Sequence, residues 1–175
     1  FAVSSRDAGA PPESGWTLHA SGRGAPARED APGAATRCGG PWRHLPASED
    51  AERHYQSMAA RGLDYGPSFM ALSDVRRAGH GDRVVARLVR PEALPSGDGW
   101  KARSVLFDAA LQAVLAALDL LPAARRHHGT FVPVALGRLT SLSGLDGAGE
   151  LWVELEPKMV SAAEVAADLT VFDNE

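Results

Sequence analysis

One long stretch of the chain is apolar on nearly every side. Residues 104–121 read Ser-Val-Leu-Phe-Asp-Ala-Ala-Leu-Gln-Ala-Val-Leu-Ala-Ala-Leu-Asp-Leu-Leu and are rich in Ala and Leu, the strongest apolar helix formers. A pattern that is hydrophobic all round is typical of a buried helix. Ser104 is predicted to cap the start of this helix, and Pro122 is predicted to end it.

Two polar residues, Asp108 and Gln112, interrupt this apolar stretch. They are four positions apart, so they share one face of the predicted helix. Burial disfavours the charged form of a carboxyl group, and a carboxylic acid that stays protonated can act as a general acid. The alternative is structural, because both side chains could lie on a solvent-facing seam and bond nearby backbone. The helix alone leaves both interpretations open.

A membrane span is a third interpretation of residues 104–121. The stretch is close to the minimum length of a spanning helix. However, it contains two Asp and one Gln, and no belt of aromatic residues flanks it. The sequence therefore argues against a membrane segment.

A second, amphipathic pattern predicts a shorter helix over residues 48–61. Ser48 is the predicted N-cap, with Glu49 and Asp50 in the first turn, where the helix dipole favours anions. Gly62 is predicted to follow the C-terminus of this helix. The inner stripe is predicted to consist of Ala51, Tyr55, Met58 and Ala59.

Alternating and β-branched segments predict the strands, and Gly/Pro clusters predict the turns between them. The predicted strands are residues 1–5, 16–21, 71–77, 82–90, 131–142 (one or two strands, broken at Gly137), 151–157 and 166–173. The first two need partner strands, which we expect to lie outside this chain in a larger protein. After residue 47 the order of elements predicts a two-layer α+β domain, with a sheet against one apolar helix.

Composition and charge restrict the classes of function that the sequence predicts. The chain has 175 residues and a net charge of −4, which predicts one domain with a real core and no nucleic-acid-binding surface. Its single cysteine, Cys38, excludes an intramolecular disulfide, and a reducing cytoplasmic setting is the default expectation. The sequence has no pattern that predicts a metal site or an organic cofactor site.

Several motifs, in the same order along the chain, resemble those of polyketide synthase dehydratase domains. Residues 62–69, Gly-Leu-Asp-Tyr-Gly-Pro-Ser-Phe, are similar to the tyrosine-glycine-proline-x-phenylalanine motif of that family. Residues 106–112, Leu-Phe-Asp-Ala-Ala-Leu-Gln, are similar to its catalytic aspartate motif, in which Gln or His follows the aspartate by four positions. Three further segments resemble the family's strands, and these are residues 16–22, 131–134 and 169–173.

The resemblance implies a double hotdog fold, in which two curved antiparallel sheets each wrap around a long helix. Residues 1–22 would be the end of the first hotdog, residues 23–46 a linker, and residues 47–175 the second hotdog. The helix at 104–121 would then be the long helix of the second half.

The resemblance also implies a reaction, the elimination of water from a 3-hydroxyacyl chain carried by acyl carrier protein. In the family a histidine of the first hotdog acts as base and an aspartate of the second protonates the departing hydroxyl. Asp108 would be that acid, Gln112 would orient it, and Tyr65 would donate a hydrogen bond near the leaving group. Gly66, Pro67 and Phe69 would contact substrate.

The implied partners follow from the same resemblance. They are the acyl carrier protein with its phosphopantetheine-borne substrate, neighbouring synthase domains, an upstream first hotdog that supplies the histidine, and a second copy in a homodimer. No cofactor, nucleic acid or membrane is implied.

Two departures from the family pattern keep other interpretations open. None of the six histidines lies in the family's motif of His, three residues, Gly, four residues and Pro, and Arg103-Ser104 occupy the positions where the family has His-Pro. The alternatives are a catalytically inactive, dehydratase-like domain for structure or docking, and a double-bond isomerase or cyclase on the same fold. Residues 1–175 alone are predicted to be aggregation-prone, because the strands at 1–5 and 16–21 would have unpaired edges.

Overall fold

The structure, a computed structural model, describes residues 1–9, 11, 13–25, 49–77, 83–94, 99–120, 130–139, 150–161 and 164–173. The chain divides into two compact units, residues 1–34 with 140–142, and residues 35–139 with 143–175. Both are described below in turn. The predicted domain limits of 1–22, 23–46 and 47–175 stay a prediction.

The larger unit has a five-stranded sheet in the order β3–β4–β5–β6–β7, and every neighbouring pair is antiparallel. The long helix α2 contacts β4, β5, β6 and β7. This is the two-layer α+β arrangement that the sequence predicts. The elements are β3 (Glu49–Asp50), α1 (Ala51–Ala60), a 3-10 helix (Pro67–Phe69), β4 (Leu72–Arg77), β5 (Val84–Val89), α2 (Gly99–Leu120), β6 (Glu150–Val160) and β7 (Val165–Asp173).

The core lies between the sheet and α2. Successive strand residues point to opposite faces, so Val84, Ala86 and Leu88 of β5 reach the same side as their partners on β6. Small side chains of α2, among them Ala109 and Ala113, complete this core and allow the helix to approach the sheet closely. In the register of β5 with β6, these three residues lie opposite Leu155, Val153 and Leu151, respectively.

Helix α1 ends in a Schellman motif. Gly62 has a φ of +87°, its N–H donates to the Ala59 carbonyl at 2.9 Å, and the Leu63 N–H donates to the Met58 carbonyl at 3.0 Å. Leu63 then packs on the core cluster that contains Met58. The predicted position of Gly62 is confirmed, and the motif fixes where the next segment, residues 63–69, begins.

The start of the long helix was predicted wrongly. Helix α2 begins at Gly99 rather than at Ser104, and Ser104 is an exposed residue within it. No helix-breaking residue separates Gly99 from Ser104, so the helix extends back beyond the apolar stretch. The helix is also not buried on every side, since Phe107 is 41% exposed. Pro122 lies outside the described residues.

The start of α1 was also predicted wrongly. Glu49 and Asp50 form strand β3, opposite Val75 and Asp74 of β4, and are not the first turn of a helix. Pairing with a distant strand overrides the local capping pattern here. Ser48 lies outside the described residues. In the predicted inner stripe, Tyr55 and Met58 are buried and Ala51 packs on the core, but Ala59 is exposed.

Residues 131–139 contain no strand, contrary to the prediction for 131–142. The segment alternates apolar residues as a strand would, yet Val134 is 87% exposed. Pro133 has no N–H to donate to a neighbouring strand, and Gly137 weakens extended pairing. Residues 140–142 lie outside the described residues.

The smaller unit contains two strands that pair with each other. Strand β1 (Ala2–Ser5) is antiparallel to β2 (Thr17–Ser21), and the Gly22 N–H donates to the Phe1 carbonyl at 3.0 Å. Both were predicted as strands, but the expectation that they lack partners within the chain was wrong. Their side chains are all exposed.

Candidate active site

Helix α2 places Asp108 and Gln112 on one face, one turn apart. Gln112 is only 1% exposed and Asp108 is partly buried. The Gln112 Nε2 donates a hydrogen bond of 2.7 Å to Asp108 Oδ2. The structure thus brings these two predicted site residues together.

The side-chain amide of Gln112 has two further partners. Its Nε2 also donates to the Phe69 carbonyl at 3.1 Å, and its Oε1 accepts from the Tyr55 hydroxyl at 3.0 Å. The Tyr55 oxygen in turn accepts from the Leu72 N–H at 2.9 Å. A chain of hydrogen bonds therefore runs from strand β4 through Tyr55 and Gln112 to Asp108. Below, these three side chains with the Leu72 N–H are called the Asp108 network.

Tyr65 lies against this network. Its ring meets the Tyr55 ring edge-on, with centroids 6.1 Å apart. Burial raises the pKa of the Tyr65 hydroxyl, and the nearby Asp108 carboxylate raises it further. Tyr65 is consequently a neutral hydroxyl at physiological pH, able to donate a hydrogen bond beside Asp108.

Tyr55 is held neutral by the same causes. Burial raises its pKa to about 12, with smaller contributions in the same direction from Tyr65 and Asp108, while the Leu72 N–H acts in the opposite direction. Sequence reasoning assigned Tyr55 only to the inner stripe of α1. The available signal was that a buried tyrosine hydroxyl normally finds a hydrogen-bond partner.

The predicted substrate-contacting residues lie on the turn between α1 and β4. Pro67 begins the 3-10 helix, where its fixed φ suits the first position, and Gly66 before it has extended backbone angles of −72° and 161°. Phe69 presents its carbonyl to Gln112 while its side chain is 46% exposed. The turn thereby joins the site through its backbone. The role of Gly66, Pro67 and Phe69 towards substrate stays a prediction.

One oxygen of the Asp108 carboxyl group is hydrogen-bonded and the other is not, among the described residues. Gln112 binds Oδ2, and among the described residues no hydrogen bond reaches Oδ1. A carboxyl group fixed by one oxygen, with a neutral tyrosine hydroxyl nearby, can exchange a proton with a bound hydroxyl group.

Two of the six histidines, His19 and His54, lie among the described residues. His19 bonds Ser5 Oγ at 2.6 Å in the smaller unit, and His54 is buried in α1, among the described residues. The other four, His44, His80, His127 and His128, lie outside the described residues. Arg103 and Ser104 are exposed positions within α2.

Comparison with known proteins identifies the family. A family model described as the polyketide synthase dehydratase N-terminal domain matches residues 41–175. The chain belongs to the polyketide synthase dehydratase family. Because that description names an N-terminal domain, the prediction that residues 47–175 are the second of two hotdog halves stays a prediction.

Curated relatives of this dehydratase-family chain are large synthase proteins. It is 34% identical over 155 residues to the spectinabilin polyketide synthase system protein NorB of Streptomyces orinoci, covering 79% of this chain and 7% of that protein. It is 33% identical over 161 residues to the pikromycin polyketide synthase component PikAII of Streptomyces venezuelae, covering 90% of this chain and 4% of that protein. The chain thus spans less than a tenth of the length of either relative.

Solved structures show the fold. An inactive mutant of the CurJ dehydratase is similar with a TM-score of 0.70 and 20% identity, over 99% of this chain and 57% of that one. The dehydratase domain from the CurJ module of curacin polyketide synthase gives 0.64 and 18%, over 91% and 54%. The predicted α+β hotdog fold is confirmed. No helix among the described residues has the length and hydropathy needed to cross a membrane.

Proposed function

We propose that this chain carries the acid side of a dehydratase site in a modular polyketide synthase. The substrate would be a 3-hydroxyacyl chain on the phosphopantetheine of acyl carrier protein, and the product an enoyl thioester. The observation that supports this most is the Asp108 carboxyl group, anchored through Oδ2 by Gln112 and flanked by Tyr65. Membership of the dehydratase family supports water elimination as the reaction at this site.

In the proposed reaction a base removes the proton alpha to the thioester. The electron pair of that C–H bond forms the carbon–carbon double bond, and the bond between the β-carbon and its hydroxyl breaks. Asp108 gives its proton to the departing hydroxyl, which leaves as water. The base would be a histidine outside this sequence, so that acid and base would lie in differently tuned environments.

Each neighbour of Asp108 has a role in this proposal. Gln112 keeps Oδ2 in place, so that Oδ1 can deliver the proton. Tyr65, a neutral hydroxyl whose pKa burial raises further, donates a hydrogen bond to the oxygen that leaves. The turn at Gly66, Pro67 and Phe69 would guide the acyl chain, with the half-exposed Phe69 ring as an apolar contact. The chemistry draws on side chains alone, and no cofactor or metal takes part in it.

The proposed setting is a multidomain synthase. An upstream first hotdog would bring the histidine, residues 47–175 would be the second hotdog, and neighbouring synthase domains and acyl carrier protein would deliver substrate. Homodimerisation and a cytoplasmic location belong to the same proposal.

A catalytically inactive docking domain is the second candidate. It is favoured by the histidines, none of which lies in the family's base motif. The other departure counts for less, because Arg103 and Ser104 lie on an exposed part of α2 and leave the helix that carries Asp108 continuous.

The test is the product formed by the intact synthase polypeptide that contains this chain. Acyl carrier protein loaded with a 3-hydroxyacyl chain is incubated with it, and mass spectrometry follows the loss of one water. Loss of water with appearance of a conjugated double bond is expected. Retention of the hydroxyl group, in a polypeptide whose neighbouring domains remain active, would overturn the proposal and favour the docking domain.

A further inference from the structure

The hydrogen bonds of the Asp108 network run in one donor-to-acceptor order, which begins at the Leu72 N–H and ends at Asp108. A backbone N–H can only donate, so the Leu72 N–H fixes the Tyr55 oxygen as its acceptor at 2.9 Å. The hydroxyl hydrogen of Tyr55 must then point elsewhere, and the acceptor it meets is Gln112 Oε1 at 3.0 Å.

That donation fixes which way the Gln112 amide faces. With Oε1 turned to Tyr55, Nε2 faces the Asp108 carboxylate and the Phe69 carbonyl, both of which can accept. In the reversed orientation Oε1 would face these two acceptors, and the Tyr55 O–H would lose the acceptor that it has in Oε1. Only one orientation satisfies every group.

We propose that Tyr55 is a positioning residue for the dehydration, holding the Gln112 amide in the orientation that anchors Asp108. This inference rests on the proposed function for its catalytic consequence. Tyr55 does not touch the carboxyl group or the reacting atoms. It acts through Gln112, and the Leu72 N–H at the start of strand β4 sets the direction in which its hydroxyl donates.

The surroundings of Tyr55 make it a rigid support. Its side chain is 7% exposed, packs in the core cluster and meets the Tyr65 ring edge-on. The Schellman motif at Gly62 fixes the end of the helix that carries it. Burial also keeps its hydroxyl neutral, since its pKa is raised to about 12, so it retains the hydrogen that the amide requires.

The catalytic test compares Tyr55→Phe with wild type in the intact synthase polypeptide. Phenylalanine keeps the ring but removes both hydrogen bonds of the hydroxyl. We expect kcat to fall by about five- to ten-fold with little change in KM, which is the effect of losing one buried hydrogen bond that orients a reacting group. An unchanged kcat would overturn the inference. Should Tyr55→Phe fail to fold, Tyr55→Leu removes the same hydroxyl.

A double-mutant cycle separates positioning from a general loss of stability. If Tyr55 acts through Gln112, then Tyr55→Phe has no further effect on kcat in a Gln112→Ala background. Effects that multiply would show that Tyr55 acts independently. Met58→Ala is the matched control, because Met58 is buried on the same helix without a part in the network. It should lower the melting temperature and leave kcat unchanged.

A second readout does not depend on turnover. The chain contains only two glutamines, Gln112 in the network and the exposed Gln56. With glutamine side chains labelled with ¹⁵N, NMR should find the Gln112 amide hydrogens protected from exchange with solvent and those of Gln56 unprotected. In Tyr55→Phe the Gln112 hydrogens should lose protection.

The two readouts distinguish the two proposals. If wild type eliminates no water but Gln112 loses protection in Tyr55→Phe, the proposed function fails and the positioning role of Tyr55 stands. If wild type eliminates water but Gln112 stays protected and kcat is unaffected in Tyr55→Phe, the positioning role is wrong.

Discussion

Gln112 makes three hydrogen bonds from a side chain that is almost fully buried. Each partner is of a different kind, a tyrosine hydroxyl, a backbone carbonyl and a carboxylate. A buried amide with all its groups paired stabilises one arrangement of its neighbours, because any other arrangement leaves a polar group unpaired. The Gln112 side chain, which holds Asp108 in place, is therefore fixed in one orientation.

Gln112→Leu should destabilise the chain. Leucine is of similar size but leaves the Tyr55 hydroxyl hydrogen and the Asp108 oxygen without their partner. We expect the free energy of unfolding to fall by about 1–3 kcal/mol in urea denaturation. Gln56→Leu, at an exposed site on α1, is the control and should stay within about 0.5 kcal/mol of wild type. Equal effects of the two substitutions would contradict the network.

The buried hydroxyl of Tyr55 predicts a pH dependence of stability. In the folded chain its pKa is about 12, whereas an unfolded tyrosine loses its proton near pH 10. Between these values the unfolded state binds fewer protons, so this contribution is complete below about pH 10 and is lost as the pH rises towards 12. This loss should lower the free energy of unfolding by roughly 2–3 kcal/mol.

Urea unfolding of wild type and Tyr55→Phe across that alkaline window measures this contribution. The wild-type free energy of unfolding should decline more steeply than that of Tyr55→Phe. Parallel profiles would show that Tyr55 keeps an ordinary pKa in the fold.

At this scale the sequence revealed part of the site. Asp108 and Gln112 could be paired in advance, because a spacing of four is a local property of any helix. The bond between Tyr55 and Gln112 could not, since it joins residues 57 positions apart and depends on where β4 places the Leu72 N–H. Long-range contacts of this kind leave no periodic signal.

At the scale of elements, the Schellman motif of α1 determines where the turn at residues 63–69 starts. Among the described residues, a β-carbon at Gly62 would meet Thr130 Oγ1 at an ordinary 3.8 Å, so space is not the constraint there. The constraint is the φ of +87°, which side chains other than glycine rarely adopt.

Gly62→Ala should therefore lower the free energy of unfolding by about 1–2 kcal/mol. Gly66→Ala is the matched control for stability, because Gly66 has a φ of −72° and no described residue lies within 4 Å of where its β-carbon would be. Its substitution should be neutral or slightly stabilising. Chemical denaturation of both variants makes the comparison, and a neutral Gly62→Ala would count against the motif.

Element boundaries show where local patterns fail. Gly62 was predictable because a helix end with glycine is a local signal, and the strands β4 to β7 were predictable from their alternation. Glu49 and Asp50 look like a helix start, but pairing with β4 makes them a strand. Residues 131–139 alternate as a strand does, yet they pair with no strand among the described residues. Pro133 has no N–H to donate to a neighbouring strand.

At the scale of the whole molecule, the two units differ in what holds them together. The five-stranded sheet buries one face against α2, and Leu88, Leu151 and Val153 are inaccessible to solvent. Among the described residues, the β1–β2 ribbon is held by the pairing of its two strands and its side chains are exposed, and a two-stranded ribbon by itself is marginally stable in water.

Amide hydrogen exchange should therefore separate the two units. We expect the amides of β5 and β6 to exchange slowest, through global unfolding, and those of β1 and β2 to exchange fastest among the strands. Mass spectrometry of peptides from each strand makes the measurement. Equal protection of the ribbon and β5 would mean that the ribbon is stabilised by more than its own pairing.

The fold class was predictable from the order of elements and the apolar helix, and the family from motifs at residues 62–69 and 106–112. The assignment of residues 47–175 to the second half of a double hotdog stays a prediction, since the matching family model is described as an N-terminal domain.

The central claim is that Asp108 is the acid of a water elimination, and one substitution tests it most directly. Asp108→Asn is compared with Asp168→Asn, an exposed carboxylate on β7, for the single-turnover rate of dehydration by the intact synthase polypeptide. Asparagine keeps the shape of the side chain but cannot donate a carboxylic proton. We predict a fall of at least about 100-fold for Asp108→Asn and little change for Asp168→Asn. Dehydration at the wild-type rate in Asp108→Asn would contradict the account.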